Sequence, residues 1–176
     1  VGSVAHDMTH HRPESELSNL LSDILVWGGR QFNEQPVFSV YNMGGIRADF
    51  AKGDINVGDV SEVAPFENKI CFLTLTGEKV LELFQQIAHR GGEGVSHAVR
   101  MVITRDGKLK GVTLNGEPVD PAKSYRIATL DYLAEGNDQL VAFKSGTDVV
   151  APKSKENNVR YIIMDYFREM KAQGKV

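Results

Sequence analysis

The sequence predicts an α+β fold, a mixed β-sheet with flanking helices in a single compact domain. Two observations carry that prediction. Three segments place apolar residues at helical spacing, and several others are short, apolar and β-branched or aromatic, interleaved with the first kind along the chain. Leu17, Leu20, Leu21, Ile24 and Leu25 follow the i, i+3, i+4, i+7, i+8 spacing of one buried helix face. Pro13 and Ser15 stand just ahead of that stretch, and Gly28-Gly29 is expected to stop it. Residues 37–41 then read as a strand running toward a glycine pair, with room for a short helix before a second strand at 70–75. Val80, Leu83, Phe84 and Ile87 mark the next helix, with Thr76 as N-cap and Gly91-Gly92 as terminator. Residues 99–103 and 109–114 flank Asp106-Gly107 and predict a hairpin. Asn115-Gly116 is a second turn signal, and residues 125–130 make another strand. Val159, Ile162, Ile163, Tyr166, Phe167 and Met170 form the last helical stripe, with Lys171 and Lys175 in or after its final turn, where cations suit the helix dipole.

The 176 residues favour one domain over 1–176, without internal repeats or a linker-like shift in composition. With 41% hydrophobic and 24% charged residues the chain has the makings of a folded core, not of a disordered segment. A net charge of −3 gives no electrostatic reason to expect a nucleic-acid partner. No apolar run approaches the roughly 20 residues of a membrane-spanning helix, so no transmembrane segment is expected. The single cysteine, Cys71, excludes an intrachain disulfide and reads as a small buried hydrophobe within the 70–73 run. A start at Val1 suggests a trimmed or mature fragment.

Several catalytic signatures are missing: the phosphate-binding loop, the nucleophile elbow, and the His-Glu-x-x-His and Asp-x-His metal motifs. His6 and His10 stand at i, i+4 and would make a ligand pair only on a helix, for which the stretch has no apolar frame. His89 falls at a helix C-terminus, and His97 follows a Gly-rich turn with its facing left open. No catalytic residue and no cofactor or metal ligand is assigned in this chain.

Three loops do suggest ligand chemistry. Asn42-Met43-Gly44-Gly45-Ile46-Arg47 follows a strand, and paired glycines let a backbone approach a ligand closely. Asn42 offers both a donor and an acceptor, and Arg47 a planar fork of donors; the alternative is a plain β-turn with a surface arginine. Phe66 and Tyr132 each stand among loop residues where two aromatics would sandwich a flat ring, and Asp138 would accept from both hydroxyls of a ribose. Either aromatic taken alone reads more readily as a core residue.

The ordered set Asn42-x-Gly44-Gly45-Ile46-Arg47, Gly53-Asp54-Ile55-x-x-Gly58-Asp59-Val60 and Pro65-Phe66 resembles the C-terminal domain of the 5′-nucleotidase family. So do Leu75-Thr76-Gly77, the run Asn115-Gly116-Glu117-Pro118-Val119-Asp120, the 125–138 stretch, and Glu14 with Leu17-Ser18-Asn19-Leu20. The resemblance implies that Phe66 and Tyr132 stack a base, with Tyr132 where Phe is commoner. It further implies that Asn42 addresses the base edge, that Arg47 reaches ribose or phosphate beside Gly44 and Gly45, and that Asp138 binds the ribose hydroxyls. The family's phosphate-contacting arginine before the first helix falls on His11, with Arg12 beside it, and Arg12 is taken as the candidate. Met43 replaces a common Gly, and Asn137-Asp138-Gln139 replaces Gly-Asp-Gly.

The resemblance implies a substrate-specificity domain for nucleotide catabolism that binds a nucleotide or nucleoside and is not catalytic alone. Two divalent metals would belong only to a missing metallophosphoesterase domain or partner chain, because the family chemistry uses a metal-activated water. Two alternatives stay open: a hydrolase completed in trans by such a chain, and a degenerate, non-binding interaction module. A periplasmic or extracellular location follows from the resemblance alone.

Overall fold

The computed structural model describes residues 1–153 and 158–174, so Lys175 lies outside the described residues. Helix α1 spans Glu16–Gly28, capped by Ser15, whose Oγ accepts the Ser18 N–H at 3.1 Å. The expected glycine stop falls one turn late. Gly28 stays helical, and the chain tightens into a 3-10 turn over Gly29–Phe32 that ends on Asn33 at φ 55°. The short helix is α2 (Val57–Val63), with Asn56 and Asp59 in a reciprocal capping box at 2.8 and 2.9 Å. Helix α3 (Gly77–His89) is capped by Thr76, α4 (Asp131–Ala134) is a single turn, and α5 spans Val159–Ala172.

The central sheet has five strands in the order β10-β4-β9-β2-β5. These are β2 (Phe38–Tyr41), β4 (Ile70–Thr76), β5 (Gly94–Val95), β9 (Ser124–Leu130) and β10 (Thr147–Val150). Strands β2 and β9 run parallel, while β4 is antiparallel to β9 and β5 antiparallel to β2, so the sheet is mixed as expected. Alternation along the strands fills both faces. Ile70, Phe72, Ala128, Leu130 and Tyr41 join the core beneath α1, α2 and α5. Leu73, Leu75, Ile127, Phe38 and Val40 join the second core beneath α3, where the Phe38 and Phe84 rings stand 5.2 Å apart. Burial on both faces explains why the three central strands, β4, β9 and β2, read as near-continuous apolar runs in the sequence.

The Asp-Gly hairpin is present as β6 (Val99–Ile103) and β7 (Leu109–Leu114), and the Asn-Gly turn, with Asn115 at φ 51°, adds β8 (Glu117–Pro118). Among the described residues four strands lack a sequence signal: β1 (Gly2–Val4), which pairs with β3 (Gly53–Ile55), the two-residue β5 at one sheet edge, and β10, whose four residues are exposed at the other. Cys71 is buried, and burial pushes its thiol up to about 11, an inert state for this chemistry.

Candidate functional site

Strand directions gather the site. Because β2 and β9 are parallel, Asn42 and Asp131 leave the sheet at the same end. Antiparallel β4 and β5 begin at that end, which brings Phe66 and Arg90 beside them. The Asp131 N–H donates to the Lys69 carbonyl at 2.9 Å, tying the exit of β9 to the entry of β4. Arg160 of α5 donates to the Pro65 carbonyl at 2.7 Å and pins the Phe66 loop from outside.

A cleft of about 340 Å³ opens there, within the range of small-ligand sites. Asn42, Gly44, Gly45 and Arg47 line it together with Phe66, Tyr132 and Asp138. Phe66 is 44% exposed and Tyr132 38%, so neither aromatic is a core residue. Asn42 Nδ2 donates to Asp138 Oδ2 at 3.1 Å, and the Tyr132 hydroxyl donates to Asp138 Oδ1 at 2.8 Å. That hydrogen bond raises the Tyr132 pKa, so the phenol stays a donor at neutral pH. Each carboxylate oxygen keeps a further lone pair for a ligand hydroxyl. The Arg47 guanidinium lies 5.1 Å above the Phe66 ring, and its Nε donates to the Gly44 carbonyl at 2.8 Å.

Asp138 and Gln139 adopt φ 56° and 64°, the left-handed backbone that glycine takes without cost. Asn137 steadies this loop, its Nδ2 donating to the Tyr132 carbonyl at 2.7 Å. Asn42 Oδ1 is buried without a hydrogen-bond partner in a residue only 6% exposed. Two lining residues escaped the sequence reading, Asn68 and Arg90. Arg90 caps α3 beside the expected Gly91-Gly92 stop, so a cation at a helix end facing a strand start was the available clue.

Arg12 is not brought to the cleft lining. Its guanidinium pairs with Glu93 at 2.6 Å and donates to the carbonyls of Arg90 and Gly92. The histidines do not assemble either. His6 meets Glu16 and His10 meets Asp49 in non-helical chain, and exposed His97 meets Asp23. Among the described residues no three His, Cys, Asp or Glu side chains converge to hold a metal ion. A larger groove, about 550 Å³, runs past Pro13, Glu14, His97 and Arg100 along β6. It does not gather exposed aromatics around a carboxylate, so the smaller cleft is the candidate site.

Comparison with known proteins agrees with this geometry. The profile of the family described as 5′-nucleotidase, C-terminal domain, matches residues 1–145. Protein UshA of Escherichia coli is 38% identical over 104 residues, covering 57% of this chain and 19% of its own length. A cell wall protein of Listeria monocytogenes is 27% identical over 178 residues, covering 93% of this chain and 22% of its own. The structure of a 5′-nucleotidase precursor from Thermus thermophilus superposes with a TM-score of 0.82 and 26% identity, over 97% of this chain and 36% of that one. The chain thus spans about a fifth of the length of the curated relatives it matches. With the motif order, the mixed sheet and the profile match in agreement, the chain belongs to the 5′-nucleotidase C-terminal domain family.

Proposed function

We propose that the domain binds the nucleoside part of a nucleotide and presents its phosphate to a metallophosphoesterase unit in the same polypeptide or a separate chain. One observation carries this reading: two half-exposed aromatics, Phe66 and Tyr132, share a cleft with a carboxylate, Asp138, whose oxygens are already oriented by Asn42 and Tyr132. Aromatic faces stack on any base, and an oriented carboxylate accepts two neighbouring hydroxyls. Arg47, resting on Phe66, would swing toward ribose or phosphate when a base takes its place. The contribution is orientation, with bond cleavage left to a metal-activated water elsewhere. No described helix is long and apolar enough to cross a membrane. Likeness to a cell wall protein supports a periplasmic or extracellular setting.

The test compares adenosine with 2′,3′-dideoxyadenosine in the wild type and in Asp138→Ala. Hydrogen bonds to a charged group contribute about 1.5–3 kcal/mol, so wild type should prefer adenosine by tenfold or more and Asp138→Ala should lose that preference. Equal affinities for the two ligands in the wild type would exclude ribose recognition by Asp138.

A further inference from the structure

Glu93 is the most deeply buried carboxylate among the described residues. It precedes β5 at the sheet end that carries the cleft, and its side chain is fully buried. Burial raises its pKa, against the opposing pull of Arg12, of the Met43 N–H and of Arg90. A buried ion pair is weak evidence for stability, since apolar residues of the same volume often serve as well. The geometry gives this pair another role. Glu93 Oε1 meets Arg12 Nη1 at 2.6 Å, and Oε2 accepts the Met43 N–H at 3.2 Å.

Met43 opens the short 3-10 turn Met43–Gly45. The residue before it, Asn42, donates to Asp138, and the Gly44 carbonyl within it holds Arg47. The Asn42 amide packs so closely on Gly45 that a Cβ there would stand 2.8 Å from Oδ1. Fixing the Met43 amide therefore fixes both polar arms of one cleft wall. On the other side, Arg12 braces Glu93 against the N-terminal segment. Gly92, at φ 105°, lies so close to Pro13 that a Cβ would stand 2.3 Å from its carbonyl oxygen.

We propose that Glu93, clamped by Arg12, is a positioning residue that anchors the 42–47 turn through the Met43 amide, and that Arg12 acts through Glu93 without touching ligand. This rests on reading the cleft as a nucleoside site.

Two double variants of the 176-residue chain separate positioning from stability. Glu93→Met with Arg12→Met removes both charges and the acceptor for Met43. Glu93→Gln with Arg12→Met removes both charges and keeps an acceptor. Thermal midpoints of the two should agree within a few degrees. The Met/Met chain should bind adenosine about tenfold more weakly, because two cleft side chains must be ordered on binding. Its Met43 amide should exchange with solvent faster, and the Gln/Met chain should restore both properties. Affinity and exchange unchanged from wild type in the Met/Met chain would overturn the proposal.

Arg12→Lys supplies a second test that does not depend on the Met/Met chain folding. Its effects on AMP and adenosine should be equal, and a loss confined to AMP would place Arg12 on the phosphate and overturn its role. If the wild type binds neither ligand, the nucleoside reading fails, while Met43 exchange still decides whether Glu93 holds the turn.

Discussion

Replacing Phe66 and Tyr132 by alanine should abolish detectable nucleoside binding and leave the fold intact. Stacking of a base on an aromatic side chain contributes about 1–3 kcal/mol by alanine substitution, so each single variant should bind about 5- to 150-fold more weakly. The double variant should fall beyond reach of a titration. Folding should survive because both rings are half-exposed and neither belongs to the two buried clusters. Tyr132→Phe separates the two roles of the tyrosine. It keeps the ring and removes only the hydroxyl that donates to Asp138, so its loss should be smaller than that of Tyr132→Ala. Isothermal titration of the variants with AMP and adenosine, beside their melting curves, checks the point. Wild-type affinity in both single alanine variants would remove the aromatic sandwich from the account.

The largest effect on stability is expected at Glu34. Its carboxylate takes a two-pronged bond from Arg126, both prongs at 2.8 Å, with side chains 14% and 21% exposed. Arg126 also donates to Thr74 at 3.1 Å and to the Asp148 carbonyl at 2.6 Å, so one guanidinium ties β4, β9, β10 and the turn after α1 together. Removing one partner of such a pair strands the other charge, at a cost of about 3 kcal/mol. For a domain of this size that is a fall in Tm of about 6–12 °C for Glu34→Ala.

The pH dependence has a definite sign. The hydrogen bonds from Arg126 hold the Glu34 carboxyl below its usual range. A depressed folded-state pKa contributes stability that is complete above the unfolded value, about 4.3, and is lost as pH falls through the folded value. The Tm gap between wild type and Glu34→Ala should therefore be constant from pH 7 to about pH 5 and shrink below that. Equal Tm values at pH 7 would contradict the assignment.

The elements most legible in the sequence are those whose side chains face a core. The five leucine and isoleucine positions of α1, the Val80-to-Ile87 face of α3 and the Val159-to-Phe167 part of the α5 stripe stand where their periodicity puts them, while Met170 falls outside both cores and Met164 is buried in its stead. Turn chemistry served equally well at Asp106-Gly107 and Asn115-Gly116, where positive φ is required. Strands β1, β3, β5 and β10 were invisible because they are only two to four residues long. No apolar alternation is imposed on such strands.

The site was legible in part. Asn42, Gly44, Gly45, Arg47, Phe66, Tyr132 and Asp138 come from three distant segments, and one cleft collects them all. Arg12 illustrates the limit of reading position along the chain. It stands just ahead of the first helix, as the resemblance expects of a phosphate contact, but the fold points it at a carboxylate some eighty residues away. Arg90 and Asn68 reach the cleft only through the pairing of β5 with β2 and of β4 with β9, which no local pattern encodes.

The most direct test of the central claim is calorimetric titration of AMP, adenosine and UDP-glucose into the purified chain without metal. Saturable binding of at least the adenosine ligands is expected in the micromolar to low-millimolar range, lost when Phe66 or Tyr132 is replaced by alanine. No heat and no thermal shift with any of the three ligands would contradict it, and membership of the family would then describe ancestry alone.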